Sequence, residues 1–271
     1  MGRVAVKEMA REGYPVIMAC RNLEKGELAR QEILKELPEA IIELHELQLA
    51  SRESVRSFVT SLGDRKIAGI FNNAGIMNRH YKLAESGLEH TMEVNYVAPA
   101  LLTLLLTPLF EEGARIVNMV SLTTKFAHLD MNWMEWGEKE FSQLCTYGSS
   151  KLAFLYFSIA YAKHNPSLCV NVADPGIVDS GMIHMDRWFD PLADIFFRPF
   201  ISTPEKGVRP ALAALHTDKS LCYFVGKKSN AIPSRFINSP MVDSLWNQFK
   251  EAFLPAPSKG RTPSGEVQTN D

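Results

Sequence analysis

The feature that most constrains this chain is a repeating alternation of short apolar runs with amphipathic helical segments. Val4, Ala5, Met9 and Ala10 fall at helical spacing within residues 3–12, and Gly13 follows where a helix ends. Residues 15–20 read as a buried strand. Asn22 is placed to cap a helix running to Leu37, and residues 41–49 read as a second strand. Ser51 caps a helix carrying Val55, Phe58, Val59 and Leu62, and residues 67–71 form a third strand that runs into Asn72-Asn73-Ala74-Gly75. A long helical region to Phe110 is expected next, then a strand at 115–120. A polar insertion with Trp133 and Trp136 comes before a helix at 147–164. Beyond it lie a strand at 168–173, a helix from Pro204 to His216, a short strand at 223–225 and a final helix at 241–253. Strands that alternate with helices build βαβ units. The fold class is therefore α/β, a doubly wound parallel sheet with helices on both faces.

The 271 residues fit one large domain, taken as 1–254. Residues 255–271 turn to Pro, Ser, Gly, Thr and charge and read as a disordered tail. A hydrophobic share of 46% excludes global disorder, and a formal net charge of −2 argues against nucleic-acid binding by bulk charge. Cys20, Cys145, Cys169 and Cys222 form no CxxC pair, and the proline in Asn165-Pro166-Ser167 disqualifies it as a glycosylation acceptor. An intracellular, cytoplasmic setting is expected. The N-terminus has no signal-peptide core, and the most apolar stretch, 97–110, is shorter than the roughly 20 residues a membrane span needs. The aromatic segment 188–200 suits a lid over an apolar pocket and leaves peripheral membrane contact open. The seven histidines are scattered without metal-ligand spacing.

In an open parallel sheet, ligands bind where loops leave the carboxyl ends of the strands. Four such places matter here: after Cys20, after Phe71, after Val120 and after Ala173. Ser121 follows one strand, and Tyr147 and Lys151 open the next helix as Tyr-Gly-Ser-Ser-Lys. Four residues apart, they share a helix face, so the lysine ammonium is expected to depress the phenol pKa and make a general acid/base. Tyr-x-x-x-Lys alone is equally compatible with two unrelated surface side chains. Trp133, Trp136 and Trp188 fit either an apolar substrate pocket or ordinary packing, and Lys227-Lys228 reads as a solvated turn.

Asn72-Asn73-Ala74-Gly75, Asn95 in Val-Asn-Tyr, Ser121 ending Ile-Val-Asn-Met-Val-Ser, Tyr147-x-x-x-Lys151 and Asp174-Pro175-Gly176 come in one order at successive strand ends. Together they resemble the short-chain dehydrogenase/reductase family over roughly residues 2–226. Met-Ala-Cys-Arg-Asn, Leu49-Ala50-Ser51 and the Ser121-to-Tyr147 spacing resemble its retinol-dehydrogenase-type members. The resemblance implies a Rossmann-like domain and an NADP(H)-dependent oxidoreductase that interconverts an alcohol and a carbonyl on a lipophilic, retinoid- or steroid-like small molecule. It implies catalysis by Asn95, Ser121, Tyr147 and Lys151, with Asn95 supporting Lys151 through a water. Cofactor contacts would come from Gly2, Arg21, Asn72, Ala74, Gly75, Tyr147, Lys151, Pro175, Gly176, Ile177 and Ser180. A homodimer pairing through the helices that hold Asn95 and Tyr147 is also implied. Arg21 follows the strand that reads the adenosine ribose, where a guanidinium suits a 2′-phosphate.

The chain departs from that pattern in three places. The family's first strand and its glycine-rich turn have no match: Gly2 aligns with the last glycine and residues 3–12 with the helix behind it. The loss of a central strand would leave two neighbours with open edges, so a truncated or catalytically inactive member acting as a binding or association module is the alternative. Gln48 stands where related sequences carry aspartate near the adenine, and Asp174 stands where Asn or His precedes Pro-Gly.

Overall fold

The computed structural model describes residues 1–176, 203–226 and 228–254. The expected tail at 255–271, the aromatic segment 188–200, and Ile177, Ser180 and Lys227 lie outside the described residues. The element order is α1 (Gly2–Arg11), β1 (Val16–Cys20), α2 (Leu23–Glu36), β2 (Ile42–Glu46), α3 (Arg52–Ser61) and β3 (Ile67–Asn72), followed by α4 (His90–Met92), α5 (Ala98–Leu106), β4 (Phe110–Met119), α6 (Gln143–His164) and β5 (Cys169–Asp174). The chain then continues through α7 (Pro204–Gly207), α8 (Arg209–Leu215), β6 (Cys222–Val225), β7 (Lys228–Ala231), α9 (Ser234–Ile237) and α10 (Met241–Phe253).

Local chemistry sets several of these boundaries. The Asn22 side chain accepts from the Lys25 amide at 2.8 Å and Ser51 accepts from Ser54, so both expected caps start their helices. Gly13 and Gly176 sit at φ +88° and +70°, left-handed conformations that end α1 and turn the chain after β5. The expected long helix after β3 is shorter than the sequence suggests. Residues 73–89 are almost entirely loop and turn, and the helix begins at His90. It continues through a π-helical turn, Glu93–Val97, into α5. This 20-residue run, His90–Leu109, is apolar and long enough by composition to cross a membrane. Here it is a core helix, with 72% of its most apolar window buried. The helix expected from Pro204 to His216 divides at Val208, just before Pro210, into α7 and α8. Lys228, read as part of a turn, instead opens β7.

β3, β4, β5 and β6 pair in parallel in that order, and β7 closes the edge antiparallel to β6. β1 and β2 form a separate two-stranded parallel sheet. The expected central strand has no counterpart among the described residues. Accordingly, β1 and β3 share no hydrogen bond, which leaves the open edges that its absence predicts. The main apolar cluster lies between the sheets and α3, α5, α6 and α10, with Val55, Leu101, Phe157 and Phe249 at its centre. On the other face, Ala211 and Ala214 of α8 cover Val117, Met119 and Ala173, while Ala10, Met18, Ile33 and Ile42 join α1 and α2 to the small sheet.

Candidate active site

α6 is held against the sheet by a buried polar ladder. The Asn72 amide donates to Thr103 Oγ1 (3.0 Å) and Asn118 Oδ1 (2.8 Å), and the Asn118 amide donates to Ser158 Oγ (2.8 Å). Ser158 and Thr103 each donate to a carbonyl of their own helix, so every hydroxyl in the ladder is used. Ser158 lies seven and eleven residues beyond Lys151 and Tyr147, two and three helical turns, so the ladder fixes the face that carries both. Asn72 thus spends its amide inside the fold, between β3, β4 and α5.

At the carboxyl ends of the strands two groups of side chains gather, joined by α6. In the first, Lys151 is buried and donates from Nζ to the Met119 carbonyl at 3.0 Å. A Cβ on Gly75 would lie 3.2 Å from both Lys151 Nζ and Asn95 Oδ1, so a side chain there would press on both. Asn95, at the centre of the π-helical turn, accepts from the Ile76 amide and donates to the Ile76 carbonyl, both at 2.8 Å. Its amide also donates to Ser150 Oγ at 3.0 Å. Asn95 therefore ties the loop holding Gly75 to α6, one residue from Lys151. Ser150 was not singled out in the sequence, because a helical serine carries no signal until a partner arrives from elsewhere in the chain.

In the second group the Ser121 side chain lies close enough to the Tyr147 phenol to act on its acidity. The last residues of β4 and β5 run together: Met119 pairs with Ala173, and the Val120 amide donates to the Ala173 carbonyl at 2.9 Å. Asp174, 2% exposed, follows directly. It accepts from the Gly176 amide at 2.9 Å and the Tyr223 hydroxyl at 3.2 Å.

The electrostatics differ from the sequence expectation in one respect. Burial pushes the Tyr147 phenol above its ordinary value; the Ser121 side chain opposes this, and the nearby Asp174 charge adds to it. The Lys151 ammonium is turned to the Met119 carbonyl. Burial itself also lowers Lys151 to about 8, weakening the charge that was to do the work.

The remaining candidates are placed as follows. Arg21 is exposed just beyond β1, and with Lys82 it helps hold His90 below its ordinary value, burial being the larger cause. Gly2 opens α1, where a Cβ would lie 3.0 Å from Asn73 Nδ2; Asn73 Oδ1 is buried without a partner. Ala74 is exposed, Pro175 is half-buried and Gly176 is exposed at the end of β5. Trp133 packs in the main core against Tyr96 and donates to Gln248, so it is a packing residue. Trp188 lies outside the described residues. Among the described residues no His, Cys, Asp and Glu cluster could hold a metal, and the four cysteines are free thiols.

Fold and site together define a Rossmann-type α/β protein with its polar residues gathered where the strands end. The family model described as short chain dehydrogenase matches residues 1–188. Human retinol dehydrogenase 13 is 28% identical over 97% of this chain and 84% of its own length. Mouse retinol dehydrogenase 11 is 32% identical over 80% of this chain and 70% of its own. An uncharacterised protein of Mycobacterium paratuberculosis superposes with a TM-score of 0.73 at 26% identity, covering 93% of this chain and 89% of that one. The chain belongs to the short-chain dehydrogenase family, a family of oxidoreductases, and within it is similar to the retinol dehydrogenases.

Proposed function

We propose that the chain interconverts an alcohol and a carbonyl on a lipophilic, retinoid- or steroid-like small molecule, with NADP(H) as the hydride carrier. The observation that carries this reading is the closeness of the Ser121 side chain to the Tyr147 phenol at the carboxyl edge of the sheet, one helical turn from the buried Lys151. Tyr147 passes a proton to or from the substrate oxygen, and Ser121 holds that oxygen. A reduced nicotinamide supplies the hydride when bound.

The residues present fit such a cofactor in part. Asn73 Oδ1 is a buried acceptor without a partner beside the start of α1, and a Cβ at Gly75 would crowd Lys151 and Asn95. Lys151, Ala74, Gly75, Pro175 and Gly176 would line the nicotinamide end, with Ile177 and Ser180 assigned there by resemblance. Arg21 would meet the ribose 2′-phosphate, where a guanidinium suits the phosphorylated dinucleotide. Pairing of two copies through the helices of Asn95 and Tyr147, and a cytoplasmic setting, belong to the same reading.

Purified chain given NADPH and a panel of lipophilic aldehydes and ketones is expected to consume NADPH faster than NADH. Tyr147→Phe is expected to abolish that consumption; turnover that survives the substitution overturns the mechanism. The split sheet favours one other reading, a non-catalytic association module, because β1 and β3 have open edges where a dinucleotide fold is normally continuous. Calorimetric titration with NADPH separates the two, since saturable binding rules the second out.

A further inference from the structure

Two residues of the π-helical turn hold opposite ends of the loop at 73–89. Asn95 binds Ile76 near its start, through both the amide and the carbonyl of that residue. Glu93, fully buried, accepts from Ser86 Oγ at 2.6 Å near its end. The same carboxylate takes Nε and Nη2 of Arg52, the first residue of α3, at 2.9 and 2.8 Å. The Arg52 guanidinium also lies 4.5 Å over the Phe253 ring of α10, so it is held from two sides. The proposed reaction assigns no role to Arg52 or to Glu93.

The Ala98 amide donates to the Glu93 carbonyl, the i to i+5 bond that makes the turn π rather than α. In an α-helix one residue is about 100° of rotation. Reversion to a regular α-turn would therefore swing the residues before it by that amount relative to those after it. The residues after it are fixed, because Thr103 of α5 is bonded to Asn72 of β3. Those before it are held by Arg52. Between these anchors Asn95 is aimed at Ile76 and Ser150, and a Cβ on Gly75 would meet Asn95 and Lys151 at the same 3.2 Å. A buried ion pair adds little net stability once its desolvation is included. What this one fixes is direction.

We propose that Arg52 and Glu93 are positioning residues of the candidate active site: their ion pair holds the π-turn that aims Asn95, and with it the Gly75 loop, at Lys151. Their bearing on catalysis rests on the proposed roles of Tyr147 and Lys151. Their hold on the turn does not.

The test replaces both partners, Arg52→Met together with Glu93→Leu, so that no lone charge is left buried. Hydrogen exchange is read in the full chain at the Ile76 amide, whose acceptor is Asn95 Oδ1. Exchange there is expected to rise about tenfold, while the amides of β4 and β5 keep their protection. Arg56→Met, one turn further along α3, loses a hydrogen bond to the Phe253 carbonyl and should leave Ile76 as it is. Unchanged Ile76 exchange in the double variant overturns the proposal. So does an equal rise in Arg56→Met, or a rise matched throughout β4 and β5. Should the double variant fail to fold, Glu93→Gln, of nearly the same shape, is measured in its place and the same outcomes decide.

With NADPH and a lipophilic aldehyde, the double variant should lose about tenfold or more in kcat, with KM for the aldehyde within about twofold. Added to Asn95→Ala, the same changes should cost nothing further, because the pair acts through Asn95. Additive losses, or an unchanged kcat beside faster Ile76 exchange, overturn the catalytic bearing. Faster Ile76 exchange in a protein whose wild type shows no turnover would support the hold on the turn and count only against the oxidoreductase reading.

Discussion

Lys151 illustrates how burial, rather than residue type, decides the chemistry of a side chain. Its folded value, about 8, lies below the ordinary 10.5, so between these pH values the unfolded chain binds a proton that the folded chain lacks. Adding protons then favours unfolding, and the contribution of this group to stability rises as pH increases from about 8 to about 10.5. Urea midpoints across that window should climb more steeply, or fall less, in the wild type than in Lys151→Met; parallel profiles would contradict the assignment. The sequence made Tyr147, Lys151, Ser121 and Asn95 legible as a set because helical spacing and strand ends are local properties. It did not make the direction of the Tyr147 shift legible. That direction comes first from burial among groups that arrive from other parts of the chain.

At the scale of elements, the ladder through Asn72, Asn118, Ser158 and Thr103 sets the height of α6 on the sheet. Asn118→Ala removes the partner of two buried groups and is expected to cost about 1–3 kcal/mol, read as a lowered thermal midpoint. A control change on exposed β7, Asn230→Ala, should stay within about 0.5 kcal/mol. Most elements were readable from periodicity and caps: Asn22 and Ser51 start helices, and α10 spans the expected residues. The loop at 73–89 was not, since apolar residues there suggest a helix while Gly75 must meet Lys151 and Gly87 takes φ +82°. β7 was invisible for a different reason. Lys-Ser-Asn-Ala has no alternating pattern and is wholly exposed, and backbone pairing with β6 makes it a strand. The π-helical turn at Asn95 likewise depends on tertiary ties, here Glu93, whose buried carboxylate is bracketed by both ends of the Arg52 guanidinium at 2.9 and 2.8 Å.

For the whole molecule, the division of the sheet is the property with the widest consequences. β1 and β2 are attached to the rest through helices and side chains alone, while β4 and β5 are each flanked by two paired strands. Amides of β1 and β3 that face the open edges are expected to exchange with deuterium at least about tenfold faster than those of β4 and β5. Equal protection would mean that the two sheets open as one unit. The sequence by itself determined the order of strands and helices, the parallel class of the sheet and the residue types at its carboxyl ends, because these follow from periodicity, capping and local spacing. Only the tertiary structure decided that Asn72 and Trp133 serve the core and that the Asp174 carboxylate is buried against Tyr223. Desolvation and hydrogen bonding at a site are set by groups far apart in sequence, and these acquire a common environment only when the chain has folded.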